Sequence, residues 1–266
     1  MSNRKDWILS STVLVPVFGE ERMKALYDAG IHNIELTGSG TNHFADIDFL
    51  HSAKKHVAFA ASYDVTIRTL HLPFVPFEKI DPACLDVSVR DNFVRVQGEL
   101  MRAGADAGIR TMIVHPSGEP YEVHTRGTRL GNTIDSLGRL LRVAEECGVT
   151  LCCENLPRTC MCSYIHEMQT VLSALPTLCA CFDFNHSLYD DNVEYLRAIA
   201  PRVRALHVSD YDREDERHWL PMKGVNDWNA LLSVLEENDY SGYFNYEVSS
   251  ASPAEIAENF RTLMGK

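Results

Sequence analysis

The sequence predicts a (β/α)8 TIM barrel, formed as a single domain over residues 1–266. Three observations carry this prediction. The length of 266 residues suits a fold that commonly takes about 250. Short apolar, β-branched runs alternate with longer amphipathic stretches, the pattern of βα units around a parallel sheet. From the third strand onward, almost every apolar run ends in a histidine or a carboxylate.

Taken in order, strands are expected at residues 9–15, 32–36, 67–72, 111–114, 150–153, 178–182, 204–208 and 243–247, each followed by a helical pattern. Ala29-Gly30, Ala107-Gly108 and Cys147-Gly148 place glycine just before a new strand, where a left-handed helix C-cap is wanted. The longest helical candidate runs from 81 to 107. The segment 116–129 reads as a long polar loop placed to cover a site. No low-complexity seam divides the chain. An open doubly wound sheet is the rival fold, but no glycine-rich phosphate fingerprint follows the first strand.

The hydrophobic fraction of 45% and charged fraction of 23% are those of a globular protein, and no apolar run approaches the roughly 20 residues of a membrane span. The opening MSNRKDWILSSTVLV lacks the apolar core and small-residue cleavage site of a secretory signal, so a cytoplasmic location is expected. The eight cysteines then read as reduced, mostly buried thiols. Cys160 and Cys162 have the look of a soft metal pair, but no second pair accompanies them. A net charge of -12, from 37 acidic against 25 basic residues with no basic run, disfavours a nucleic-acid partner.

The chemistry is concentrated at strand ends. His71 closes TLHLPF, His115 closes IVHPSG, Glu154 closes LCCENLP, Asp183 and His186 close CFDFNHS, His207 closes ALHVSD and Glu247 closes FNYEVSS. In a (β/α)8 barrel all these ends converge on one face. A single histidine at such a place is commonly a hydrogen-bonded structural residue. Carboxylates at the ends of apolar strands are different, because an unpaired buried charge loses several kcal/mol or more of solvation. Glu154, Asp183 and Glu247 therefore call for a cation. With an imidazole from one of the strand-end histidines they form an oxygen–nitrogen set that suits Mn2+, Mg2+, Co2+ or Zn2+, and no organic cofactor is implied.

These motifs, one per strand and in this order, together with ERHWLPMKGVNDW, resemble the xylose isomerase-like barrels over nearly the whole chain. That superfamily includes sugar and sugar-phosphate isomerases and epimerases and the endonuclease IV-type apurinic endonucleases. The tagatose-epimerase-like members hold one divalent metal on four residues that match Glu154, Asp183, His207 and Glu247. The resemblance implies isomerisation or epimerisation of a ketose or ketose phosphate through a cis-enediolate. Glu154 and Glu247 would then be an acid/base pair on opposite faces of the sugar, and His186 and Arg217 would bond the developing oxyanion. It also implies a homodimer or homotetramer.

Two other readings are open. The endonuclease branch binds three zinc ions, with further ligands matching His71, His115, His186, Glu216 and His218, Glu216 standing where that branch has aspartate. His71, His115, Glu216 and His218 are thus either substrate contacts around one metal or ligands of additional ions. A sugar-binding barrel without turnover is the third reading, against which stands the retention of both carboxylate bases. Phe18, Phe74 and Trp219 are candidates for the sugar's apolar face, and Arg158 and Lys223 for a substrate phosphate. The family's Pro-Gly-x-Gly appears here as Pro221-Met222-Lys223-Gly224, with the first glycine missing.

Overall fold

The computed structural model describes residues 4–38, 48, 51–119 and 121–265. The strands are β1 (Ile8–Leu14), β2 (Asn33–Thr37), β3 (Thr66–His71), β4 (Thr111–Val114), β5 (Thr150–Glu154), β6 (Cys179–Asp183), β7 (Val203–Val208) and β8 (Tyr243–Tyr246). Each pairs in parallel with its sequence neighbours, and β8 closes onto β1, giving a single eight-stranded barrel. The helices among the described residues are α1 (Glu20–Asp28), α2 (Ala53–Ala61), α3 (Val87–Asp106), α4 (Arg126–Cys147), α5 (Ile165–Ala174), α6 (Asn192–Ile199), α7 (Trp228–Glu237) and α8 (Pro253–Met264). None of them is long and apolar enough to cross a membrane.

The two faces of the strands do different work. Outward side chains such as Val13, Leu36, Met112, Leu151, Phe182 and Phe244 pack under the helices in the main core. Because side chains alternate along a strand, the residues between them point into the barrel. There Ile113, Cys152, Cys181 and Ala205 form a small apolar plug. His115, Glu154, Asp183 and His207 each follow a plug residue by two positions, so they lie one layer above it at the C-terminal mouth. The register sets neighbours as well, with Asp183 opposite His207 across β6 and β7.

Helix ends follow the expected chemistry, with two corrections. The 81–107 helix begins only at Val87, where the Asp86 side chain accepts from Ser88 N at 2.8 Å. Asp81 is a buried loop residue that accepts the Ala83 N–H at 2.9 Å and the Tyr121 hydroxyl. The 116–129 loop is shorter than expected, because a 3-10 turn at Val123–Thr125 runs into α4 at Arg126, and α4, at 22 residues, is the longest helix described. Gly30, Gly108 and Gly148 all have positive φ, and Gly148 is the left-handed C-cap of α4.

All eight cysteines are free thiols, five of them buried. Cys162 lies in the main core and Cys160 at the barrel mouth, and neither joins a group of metal-ligating side chains among the described residues. The soft-pair expectation is therefore withdrawn. Met222, standing where the resembling family has glycine, has φ +69 and is exposed. A left-handed backbone costs an L-residue roughly 1 kcal/mol. Met222→Gly is accordingly expected to be neutral to stabilising by up to about 1 kcal/mol, read as an unchanged or raised urea midpoint.

Candidate active site and metal centre

Glu154 is the hub of the barrel mouth. It is 1% exposed. Its Oε1 lies 2.9 Å from His207 Nδ1, and its Oε2 lies 3.2 Å from both His71 Nε2 and His115 Nε2. His207 Nδ1 is also 2.9 Å from Glu247 Oε2 and 3.7 Å from Asp183 Oδ2. One Asp183 oxygen accepts the Asn185 N–H at 2.6 Å; the other is buried with no hydrogen-bond partner. The ligand atoms of Glu154, Asp183, His207 and Glu247 all lie within 4.8 Å of one another.

That arrangement fits a divalent cation. Three carboxylates and an imidazole converge on one point, and a buried carboxylate oxygen there lacks any partner, which is costly unless a cation or proton completes it. The electrostatics agree. Burial pushes the Asp183 carboxyl up to about 7, so in the metal-free protein a proton competes for that place. Burial also pushes Glu247 up, but His207 and His218 outweigh it and hold the group at about 2. Chemically the set can hold a hard or borderline ion with open positions for water or substrate.

A second polar group stands beside the first. His186 Nδ1 bonds the Asn155 carbonyl at 2.9 Å, leaving Nε2 3.0 Å from Glu216 Oε2. His218 Nδ1 bonds the Glu247 carbonyl at 3.2 Å, and its Nε2 is 3.9 Å from the same Glu216 oxygen. Burial opposes protonation of His186, but Asp183 and Glu216 outweigh it and push the imidazole up to about 10. Arg158 and His218 both occupy the left-handed region, at φ 51, so backbone strain is concentrated in the loops that carry this group.

A cavity of about 220 Å3 opens over both groups, lined by His71, Phe74, His115, Glu154, Arg158, His186, Glu216, His218 and Glu247 among others. Asp183 and His207 are fully buried at its floor. Four expected residues are not brought there. Arg217 turns its guanidinium to Asp212 at 2.6 Å and contributes only its backbone N–H, bonded to Asn185 Oδ1 at 2.8 Å. Trp219 and Lys223 line a separate groove with Leu220, Ser250, Ala251 and Glu255. Phe18 packs against Phe59 and lines a groove over α1.

Several residues of the site were not anticipated. Glu35, buried on β2, places Oε1 2.9 Å from His207 Nε2, on the side of the ring away from the carboxylate cluster. The carboxylate sets a negative charge beside the ring that favours its protonated form, without a hydrogen bond to Nε2. The signal was available: an acidic residue inside the apolar strand run NIELT. Asn155 bridges β5 and β6, accepting from Asp183 N at 2.7 Å and donating to Asp183 O at 2.9 Å. Glu119 joins the cavity wall from the β4–α4 loop.

Behind the site, Asp210 organises the β7–α7 loop by accepting from Trp228 Nε1 at 2.9 Å and from Asn226 N at 3.2 Å. Gly224 packs against it so closely that an added Cβ would lie 2.1 Å from Tyr211 O and 2.5 Å from Asp210 Oδ1. Gly224→Ala is expected to destabilise the protein by about 2 kcal/mol, seen as a lower urea midpoint.

The chain belongs to the xylose isomerase-like TIM barrel family, whose profile matches residues 23–264. An uncharacterized protein of Methanocaldococcus jannaschii is 25% identical over 188 residues, covering 68% of this chain and 70% of its own length. Among solved structures, a D-tagatose 3-epimerase-like protein superposes with a TM-score of 0.76 at 17% identity, over 97% of this chain and 96% of the other. The IOLI protein, solved with a bound zinc atom, superposes with a TM-score of 0.76 at 13% identity, over 96% of each chain. Likeness at these identities establishes the fold.

Proposed function

We propose that this protein is a divalent-metal-dependent isomerase or epimerase that moves a proton at the carbon next to a carbonyl in a ketose, ketose phosphate or related keto compound. One observation carries the reading: Glu154 at the end of β5 and Glu247 just after β8 both come within 2.9 Å of His207 Nδ1 at the base of one cavity. Structural neighbours that are named sugar epimerases, such as an L-ribulose 3-epimerase, support it.

The residues that would hold the ion are Glu154, Asp183, His207 and Glu247, and the ion would supply Lewis-acid polarisation of the substrate carbonyl. The protein's own groups do the rest. One glutamate takes the α-proton, the other, starting protonated, delivers its own proton to the opposite face, which inverts the centre, and exchange with solvent resets the two carboxyl groups. Transfer back to the neighbouring carbon would give an aldose–ketose isomerisation instead. His186, its Nδ1–H held by the Asn155 carbonyl, would turn its Nε2–H from Glu216 to the oxygen on which negative charge develops in the enediolate. Arg217, whose guanidinium is bound to Asp212, has no part in that step. His71 and His115 fix Glu154 Oε2 and face the substrate.

A specific observation favours one second reading. His186, Glu216 and His218, and separately His71, Glu154 and His207, also form groups able to hold metal ions, as a multinuclear zinc phosphodiesterase requires. Against it, Arg158 Nη2 donates to the other Glu216 oxygen, Oε1, at 2.9 Å, so a cation already partly neutralises that carboxylate. Metal content of the untagged protein, by elemental analysis, separates the two. About one ion per chain, together with solvent exchange of a ketose α-proton, is expected. Two or three zinc ions with cleavage of abasic DNA would replace the isomerase reading. His71→Ala is expected to reduce exchange by about 10-fold and leave the metal ratio unchanged.

A further inference from the structure

We infer that the site takes an uncharged ketose or polyol-derived ketone and rejects its phosphate ester. This rests on the isomerase reading above. A phosphate ester brings a dianion, whose burial must be met by opposite charge or by donated hydrogen bonds. Barrels of this fold frequently provide both from the loops after the seventh and eighth strands and from a helix N-terminus, where unpaired N–H groups and the helix dipole favour an anion.

Here the chain has filled those places with its own acceptors. After β7, the Asp227 carboxylate accepts the Ala230 N–H at the start of α7 at 3.0 Å. After β8, Ser252 Oγ accepts the Glu255 N–H at 3.3 Å, and the Glu255 carboxylate returns to the Ser252 N–H at 2.8 Å. Further round the mouth, Asp190 accepts the Ile165 N–H of α5 at 2.6 Å, and Asp191 accepts the Val193 N–H of α6 at 2.9 Å. A phosphate approaching any of these four helix starts meets a carboxylate.

The cations are committed as well. Among the described residues lining the cavity, Arg158 is the sole arginine and there is no lysine. Its Nε and Nη2 donate to Glu119 at 3.0 and 2.6 Å, Nη1 to Asp215 at 2.7 Å and Nη2 to Glu216 at 2.9 Å. Every nitrogen of the guanidinium is thus engaged by a carboxylate, and three carboxylates surround one cation. Lys223 opens on a different groove, beside Glu255. The sequence between Gly38 and His51 contains no lysine or arginine.

What the outer cavity offers instead is apolar surface and an acceptor. Leu14, Phe74, Phe77 and Leu156 form the wall, and Glu119 is the carboxylate among them. Such a wall takes the C–H face of a sugar, while hydroxyl groups donate to the carboxylate. Arg158 is held in the left-handed region to reach its three partners, which marks the clamp as a built feature of the site.

The test uses the metal-loaded full-length protein in D2O. Ketopentoses and ketohexoses are each paired with their terminal phosphate ester, and exchange of the α-proton is followed by NMR. At least one free sugar is expected to exchange with kcat/KM about 100-fold or more above that of its ester. An ester that exchanges as well as or better than its free sugar overturns this inference and leaves the isomerase reading standing. Exchange with neither member of any pair overturns the isomerase reading and this inference with it. In Glu119→Gln, Arg158 loses its two-pronged partner, and discrimination against the ester is expected to narrow by about 10-fold. An unchanged ratio there overturns the assignment of the selectivity to the Arg158 clamp.

Discussion

Glu154→Gln is expected to lower solvent exchange of the substrate α-proton by about 1,000-fold or more while leaving the fold intact, as is Glu247→Gln. An amide keeps the shape of the side chain but cannot accept a proton at neutral pH. The two variants should differ in their metal content. Glu154 is fully buried and contacts His71, His115 and His207, so its replacement also removes the charge that organises the floor of the site. Glu247, whose side chain is 27% exposed, contacts His207 at the edge of the group, and its variant should retain more of the ion. Circular dichroism checks the fold, elemental analysis the metal, and NMR in D2O the exchange. Near-normal exchange in either metal-loaded variant would defeat the two-base mechanism.

Removing the metal should make stability strongly pH-dependent. Asp183 has its ordinary value of 3.8 when unfolded, and burial pushes it up to about 7 in the folded, metal-free protein. Between those values the folded state binds the extra proton, so stability falls as pH rises. His186, pushed up from 6.5 to about 10 once Asp183 and Glu216 outweigh its burial, acts in the same direction at higher pH. Its contribution is full below 6.5 and is lost as pH rises toward 10. Glu247, held at about 2, works the other way, but only at pH values below its ordinary 4.5. From pH 5 to pH 7, the chelated protein should therefore lose on the order of 2 kcal/mol of stability. The metal-loaded protein should not, because the ion takes the place of the proton on Asp183. Urea unfolding of both forms across this range tests the claim. Parallel pH profiles for the two would show that the ion does not bind at Asp183.

Much of the fold was legible because its signals are local. Apolar β-branched runs, helix-ending glycines and polar strand ends each depend on a few adjacent residues, and all eight strands lie within a few residues of their expected positions. The late start of α3 was less so: the Asp86 cap marks it, but an amphipathic pattern continues upstream through residues that form a loop. The convergence of the four candidate metal-holding residues was readable for a related reason. Each member sits at the end of its own strand, and in a closed parallel barrel strand ends meet.

Residues on loops were harder to place. Arg217, Trp219 and Lys223 are suggested for the site by motif position and Phe18 by its aromatic ring, and their side chains turn elsewhere. Loop direction depends on long-range anchors that no local pattern records. The Asn185 side chain holds the Arg217 and His218 N–H groups, and Asp210 ties Trp228 and Asn226. Glu35 lies within a strand rather than at its end, where one inward carboxylate has the pattern of an ordinary alternation of sides.

The sequence by itself determined the barrel, the order of its strands and the carboxylate–histidine group at their ends, because periodicity fixes which side chains face inward and closure fixes where they meet. Only the tertiary structure decided which loop residues reach the cavity. It alone placed Glu35 behind His207 and bound Arg158 to three carboxylates rather than leaving it free for a phosphate. Those outcomes depend on distances between residues dozens of positions apart, and such distances are set by packing and long-range hydrogen bonds, not by any pattern within one segment.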